Sequence, residues 1–533
     1  MSIGNEVPGV RPFRRRRIRR SARAANAGAG AGAGVSGAGG AANPTAAERP
    51  YPWNLVSDRH QFAAGCVILV AIFVPTISLI VLSTVSGYAL YYGLHKYNPP
   101  VRAVLDAARA AQRWFFRQVG EAILLDPRDS PYLAWMTASL VTLPPLIKWA
   151  YERHADRGFE VSTFLIYHLL RLGPRYRFFA HHECLIHTEG HASKTGFFRN
   201  VLNLKAREPV PKWLRRLLFD HINGAVIGPF FGSIPHHYAT AHNKIHHRWH
   251  NDTGDVHTNM DVDRTDPSSF VLWLPRFILY WTGVSPAVLF WKRGESALLR
   301  GLLCGMAYYY ALGALVWRTT GTTFWLAYFV YPQLEAASFL GGIAYIWHAF
   351  SEESDPSNQY VNSITIVRGH DNIWNEDFHV VHHHEPNVHW TEMPASFREN
   401  VMKYVENRAT VFGDCEQGVF FAWMFGAKWD DMVDHFVDLN YAFSDGGKNY
   451  DVDKLMTVKQ IFRRERELCA ASGGDAEAAE RRLEQFRARL KDMLLRRLRY
   501  HYMGDRGEEW KKYNDRLNAG VRDFEKEEVG KQS

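Results

Sequence analysis

The chain is short of charge, short of cysteine, and has almost no surplus of one charge sign outside a single tail. Of its 533 residues, 22% are charged and 47% hydrophobic. Its five cysteines (Cys66, Cys184, Cys304, Cys415 and Cys469) are odd in number, far apart, and form no CxxC pair. A disulfide scaffold and a zinc ribbon are therefore excluded. The zinc-protease pattern HExxH is also missing: His182-Glu183 runs on into Cys184, Leu185 and Ile186, and His384-Glu385 is not completed. The net charge is +8, and residues 1–50 hold nine arginines against Glu6 and Glu48, so nearly all the excess is one tail. With almost no aromatics interleaved, that tail is a poor nucleic-acid binder, and no nucleic-acid partner is expected. It reads as a disordered, positive-inside flank, with an organelle transit peptide as the rival. No short hydrophobic stretch with a cleavage site follows Met1, so no cleaved secretory signal is expected.

A mean hydropathy of −0.26 looks soluble, but it averages unlike parts. Residues 24–47 are mostly Ala and Gly and cannot bury enough apolar surface to offset their ordering entropy. Phe62 to Leu94 then carries no charged residue, more than the roughly 20 residues a membrane-crossing helix needs. Pro75 kinks this run or splits it into a hairpin. Further apolar segments are 131–147, 161–180 (interrupted by Arg171, Arg175 and Arg177), 217–235, 269–291, 301–317 and 321–347. Arg276 favours an interfacial position for 269–291. The short connector Arg318 to Gly321 makes the last two a transmembrane hairpin. Glu335, inside it, should face the bundle interior and is a functional candidate. Residues 452–533 are dense in Lys, Arg and Glu, and Leu483, Phe486, Leu490, Met493 and Leu494 recur at helical spacing. The expected organisation is a basic tail over 1–50, a membrane-embedded region over 51–400 and a soluble helical extension over 401–533.

Histidine is the abundant residue, with 25 copies in clusters. The first is His187-Thr-Glu-Gly-His191, the second His242-Asn-Lys-Ile-His246-His247, the third His379-Val-Val-His382-His383. Spacings of three and four put side chains on one helix face, one turn apart, where imidazoles can share a metal. Three such clusters, each beside an apolar segment, point to a metal site, and eight histidines suffice for two ions. Imidazole suits iron, zinc, copper and nickel, so ligand type alone does not choose. His348 ends the segment 321–347 and is a ninth candidate. His181, His182, His236, His237, His250, His257, His384 and His389 flank the boxes as supporting or surface residues. Asp252, Asp255, Glu376, Asp377 and Asn375 are candidates to orient the ligands.

These boxes, the stretch WNEDFHVVHHHEPNVHW and the stretch HNKIHHRWHNDTGDVHTNMDVDRTDPSSF resemble the integral membrane fatty acid desaturase and hydroxylase superfamily over roughly 130–400. The resemblance implies an all-α integral membrane helical bundle with a cytosol-facing His-rich metal site, here followed by a charged helical C-terminal extension. It implies two non-haem irons held by His187, His191, His242, His246, His247, His348, His379, His382 and His383. It also implies an O2-dependent lipid desaturase acting on an acyl or sphingoid chain, with a hydroxylase on the same site as the alternative. Electrons would come from cytochrome b5 or ferredoxin with its reductase. The implied location is the endoplasmic reticulum, with a plastid as the alternative. The second box has three intervening residues where many members have two. The third begins with His379 rather than the Gln of front-end desaturases, and no HPGG haem motif occurs.

A single shared site needs an even number of crossings between His247 and His348, which the hairpin 301–347 supplies. Deleting residues 2–47, which hold no metal-ligand cluster, should leave activity per folded protein unchanged, measured as product formed by the shortened and full chains.

Overall fold

The computed structural model describes residues 57–192, 222–252, 254–356, 358–443 and 454–499. The tail over 1–50, residues 217–221 of the expected 217–235 segment, and 500–533 lie outside the described residues.

The uncharged run forms one continuous helix, α1 (Asp58–Lys96). At ~1.5 Å per residue it is about 58 Å long, beyond the hydrocarbon thickness of a bilayer. The helix continues through Pro75. A wider π-helical turn at Leu69–Phe73 precedes the ring, so the chain does not fold into a hairpin there. Val67, Val70, Val74, Val81 and Val85 all point outward. Only 28% of its apolar window is buried, unlike the core helix of a soluble protein.

α2 (Pro99–Ile123) is amphipathic and packs on α3 (Ser130–Arg157). α3 turns back into α4 (Val161–Leu172), which leads into α5 (Arg177–His191). After short helical turns at Asn223–Ile227 and Gly228–Phe231 comes α6 (238–249), π-helical over Tyr238–His246. α7 (Pro267–Trp281) and α8 (Val284–Lys292) follow, then α9 (Ser296–Thr320) and α10 (322–347). α9 is the second helix long and apolar enough to cross a membrane, with 22% of its apolar window buried.

Two antiparallel hairpins make the frame. In one, Gly321, with φ +85°, allows the sharp reversal between α9 and α10. In the other, α3 leaves the level of Glu189, where Tyr132 donates to that carboxylate at 2.5 Å, and α4 brings the chain back to α5. The remote ends of the hairpins meet, with Phe324 against Tyr151 and His154 at ring separations of 5.8 and 5.4 Å. Glu335 of α10 is buried and ion-paired to buried Arg171 of α4, which ties one hairpin to the other. The carboxylate therefore faces the interior, as expected, and its charge is met by an arginine of its own bundle. Arg175 and Arg177 both pair with Asp371.

Arg276, which interrupts the segment 269–291, does not reach the protein surface. It is fully buried, and its guanidinium donates to the Asp261 carboxylate at 2.8 and 2.9 Å and to the Thr258 carbonyl at 2.6 Å. The segment breaks into α7 and α8 around Thr282–Gly283, and the arginine staples α7 to the loop that follows the second histidine box.

Past α10, the strand β1 (Thr365–Val367) precedes the helices α11 (His379–His384) and α12 (Met393–Glu406). The strand β2 (Val411–Gly413) pairs with β1 in parallel, Ile366 opposite Phe412. Longer helices beyond it are α13 (Gln417–Phe425), α14 (Trp429–His435), α15 (Val458–Ser472) and α16 (Ala476–Arg499). Thr457 and Gln460 form a capping box that starts α15. On α16, Leu483, Leu490, Leu494 and Leu498 are buried in the main core, and Phe486 and Met493 pack beside it. The apolar stripe read from the sequence is thus the face by which the charged extension docks.

Candidate metal centre

All nine candidate histidines come together, and they sort into two groups that cut across the sequence boxes. His187, His191, His242, His247 and His382 form one group; His246, His348, His379 and His383 form the other. Within each group the facing ring nitrogens lie within 4.8 Å of one another.

Local helix geometry does the sorting. On α5, His187 and His191 are four apart and share a face, their Nε2 atoms 3.1 Å apart. On α6 the π-helical winding brings residues five apart into register, so His242 faces His247 at 3.0 Å and His246 turns to the other group. On α11, His379 and His383 are four apart at 3.0 Å, while His382 crosses to His247 at 2.9 Å. His348, at the end of α10, meets His246 at 3.2 Å and His379 at 3.1 Å.

α5 and α6 can approach closely because residue 190 is glycine. A Cβ there would stand 2.5 Å from Tyr238 Cβ and 3.0 Å from its carbonyl carbon. His187 and His242 consequently face each other with Nε2 atoms 2.8 Å apart.

The donor set fits metal ions. His187 Nδ1 lies 3.1 Å from Glu376, His246 Nδ1 2.7 Å from Asp255, and His348 Nδ1 3.1 Å from the Asn362 amide oxygen. Each oxygen acceptor holds the ring proton on Nδ1, leaving the Nε2 lone pair bare. Bare lone pairs at 3 Å repel unless a cation lies between them. Nitrogens about 2.1 Å from one ion and at right angles to each other lie about 3.0 Å apart, which the observed 2.8–3.2 Å spacings match. Burial, then repulsion from neighbouring charge, pushes His191, His242, His247, His348, His379, His382 and His383 well below the usual imidazole range. They are neutral at pH 7, the form that coordinates. Burial would raise the Asp255 carboxyl, but His257 and His246 beside it hold it well below the usual range.

Of the orienting residues proposed from sequence, Asp255 and Glu376 reach histidines. Asp377 instead accepts from Gln417 at 2.8 Å, and Asn375 donates to the Trp390 carbonyl at 2.9 Å. Among the flanking histidines, His257 sits 3.4 Å from Asp255, and His250 lies 4.7 Å from the His383 ring. Buried His182 stacks on Phe231 at 4.2 Å, and His389 pairs with Asp129 at 3.0 Å. Asn362 escaped the sequence reading. It lies fourteen residues after His348 in a plain helical turn, with no local pattern to mark it. Replacing Asp255 with alanine should weaken metal binding by about 10–100-fold, because His246 loses the partner that sets its tautomer. Metal titration of the purified variant measures the loss.

A cavity runs past the two groups. His187, His242, His246, His348 and His379 line one wall, and Phe179, Phe277, Trp281, Phe339, Leu340 and Ile343 supply apolar surface. Its partly exposed rim includes Tyr176, Asp371, Glu416 and Gln417, while Phe277, Tyr280 and Trp281 are each 3% exposed and close its depth. Such a shape suits a long apolar substrate held beside the metal groups.

Residues 162–413 match the model of the fatty acid desaturase family, a stretch that holds all nine histidines and the cavity wall between them. No curated protein and no solved structure matches the chain.

Proposed function

We propose that this chain, which belongs to the fatty acid desaturase family over residues 162–413, is a membrane oxidoreductase that introduces a double bond into an acyl or sphingoid chain at a pair of irons. The observation that carries the reading is the placement of a five-histidine and a four-histidine group side by side on the wall of one apolar cavity. His187, His191, His242, His247 and His382 would hold one iron; His246, His348, His379 and His383 would hold the other. Bound there, the irons supply the activation of dioxygen that attack on an unactivated C–H bond requires and that no side chain provides.

The protein's part is placement and insulation. Phe179, Phe277, Trp281 and Phe339 exclude water and hold the chain extended along the histidine wall. Asp255, Glu376 and Asn362 keep His246, His187 and His348 turned with Nε2 toward the metal. Two hydrogens from adjacent carbons, two donor electrons and two protons reduce one dioxygen to two waters. The electrons come from an outside carrier, cytochrome b5 or ferredoxin with its reductase.

The test is expression in a host of known lipid profile, with mass spectrometry of total acyl and sphingoid chains. New species lighter by two hydrogens, absent with a histidine variant, support the reading. Chains that gain oxygen instead would make the enzyme a hydroxylase. A single shared site also sets a topology: His191, His247, His348 and His383 should face one compartment. Cysteine labelling at loop positions near His247 and His383 checks this, and opposite labelling of the two would break the single-site arrangement.

A further inference from the structure

The last described turn of the charged C-terminal helix, α16, lies directly behind the metal groups. His348 has just left α10, and the backbone that carries it, 348–352, has no regular structure of its own. Arg264 and α16 hold it from behind. The Ala349 carbonyl accepts from Arg264 Nε at 2.9 Å, and the same guanidinium donates to the Arg497 carbonyl at 3.0 Å. The Ser351 amide donates to that Arg497 carbonyl at 3.0 Å, and the Arg264 amide donates to the Leu498 carbonyl at 3.0 Å.

These are carbonyls of the last described turn of α16. They accept from one cation and two amides belonging to the metal-site side. The Arg497 side chain is itself 3% exposed. It donates to Glu352 at 2.8 Å, to the Arg408 carbonyl at 3.0 Å and to Thr410 Oγ1 at 3.4 Å. Thr410 in turn donates to the Val361 carbonyl at 2.9 Å, next to Asn362, the partner of His348 Nδ1. Leu494 and Leu498 anchor the turn in the core that contains Phe350, Val361 and Ile364. One turn of α16 therefore grips the backbone just after His348 and, through Thr410, the backbone beside its orienting amide.

We propose that α16 is a positioning element of the metal centre, and that Arg497 is its key: it fixes His348 and Asn362 relative to His246, His379 and His383. This rests on the reading that the four-histidine group holds iron. His348 is the only member of that group outside the three boxes, and it sits on the one segment without a helix to hold it. Fixing it from outside completes the group. Lysine cannot replace Arg497, since one ammonium cannot span Glu352, Arg408 and Thr410 together.

The experiment uses full-length protein purified in detergent with iron, in four forms: unaltered, Arg497→Ala, Arg497→Lys and Arg496→Ala. Arg496 is exposed on the same turn and, among the described residues, pairs with Asp492 of its own helix. Iron per chain, the rate of iron release to a chelator, and the iron spectrum are recorded beside thermal unfolding. The unaltered protein and Arg496→Ala should hold two irons. Arg497→Ala should keep one and release the other at least about tenfold faster, with a changed spectrum; Arg497→Lys should fall between. If Arg497→Ala does not fold, the Lys variant carries the comparison. Release from Arg497→Lys at the unaltered rate, or two irons held normally by Arg497→Ala, overturns the proposal. Unaltered protein that binds no iron overturns the metal reading itself, and this inference with it.

Discussion

Alanine at His187, His246 or His382 abolishes product formation while the protein stays in membranes. His187 and His382 belong to the five-membered group and His246 to the four-membered one, so the three sample both. Loss of an outer-sphere partner alone costs about 10–100-fold, and loss of a ligand exceeds that. Each truncation also leaves a dry gap facing neutral imidazoles that have no other cation to share. The single variants should differ in which ion they lose: His246→Ala empties the group with His348, while His187→Ala and His382→Ala empty the other. Iron per chain, measured on purified protein, should fall toward one in each single variant and toward zero in the triple variant. A triple variant that retains two irons shows that these histidines are not the ligands.

Alanine at Gly190 is a smaller change with nearly as large an effect. Its Cβ would stand 2.5 Å from Tyr238 Cβ, well inside van der Waals contact. Neither backbone can yield independently. α5 is tied by Glu189, which accepts from the Asn223 and Gly224 amides at 3.1 and 3.0 Å, and α6 by Asn243, which donates to the Gly190 carbonyl at 2.8 Å. The helices separate instead, by about 1 Å, and His187 and His191 draw away from His242 and His247. A misplacement of that size costs on the order of 100-fold in rate. Turnover should drop accordingly, with iron in the five-histidine group loosened first. Gly93→Ala on α1, whose added Cβ meets nothing within 4 Å, should leave turnover unchanged. Full activity in Gly190→Ala would mean that the approach of α5 to α6 does not set the site.

The sequence by itself determined the family resemblance and the architecture class. Eight histidines at helical spacings, with His348 at the end of an apolar segment, marked the residues that the structure brings together. The charge-free run from Phe62 to Leu94 required a long apolar helix, and the stripe through Leu483, Leu490 and Leu494 marked the docking face of α16. All of these are properties of short windows, where neighbours along the chain are neighbours in space.

What only the tertiary structure decided was which histidines stand together. The boxes do not map one to one onto the groups: the second sends His246 one way and His242 with His247 the other, and the third divides His382 from His379 and His383. The turn of α6 is π-helical, so the pair that shares a face is five apart rather than four, a winding that HNKIHH does not announce. Asn362 on His348, Arg171 on Glu335, Arg276 on Asp261 and Arg497 behind Ala349 and Ser351 were likewise invisible. Their partners lie far away in sequence or in unpatterned loops, and their meeting depends on how helices cross, which is set by close approaches such as Gly190 on Tyr238. Local spacing fixes a side chain's face on its own helix; only the packing of one helix on another fixes what that face meets.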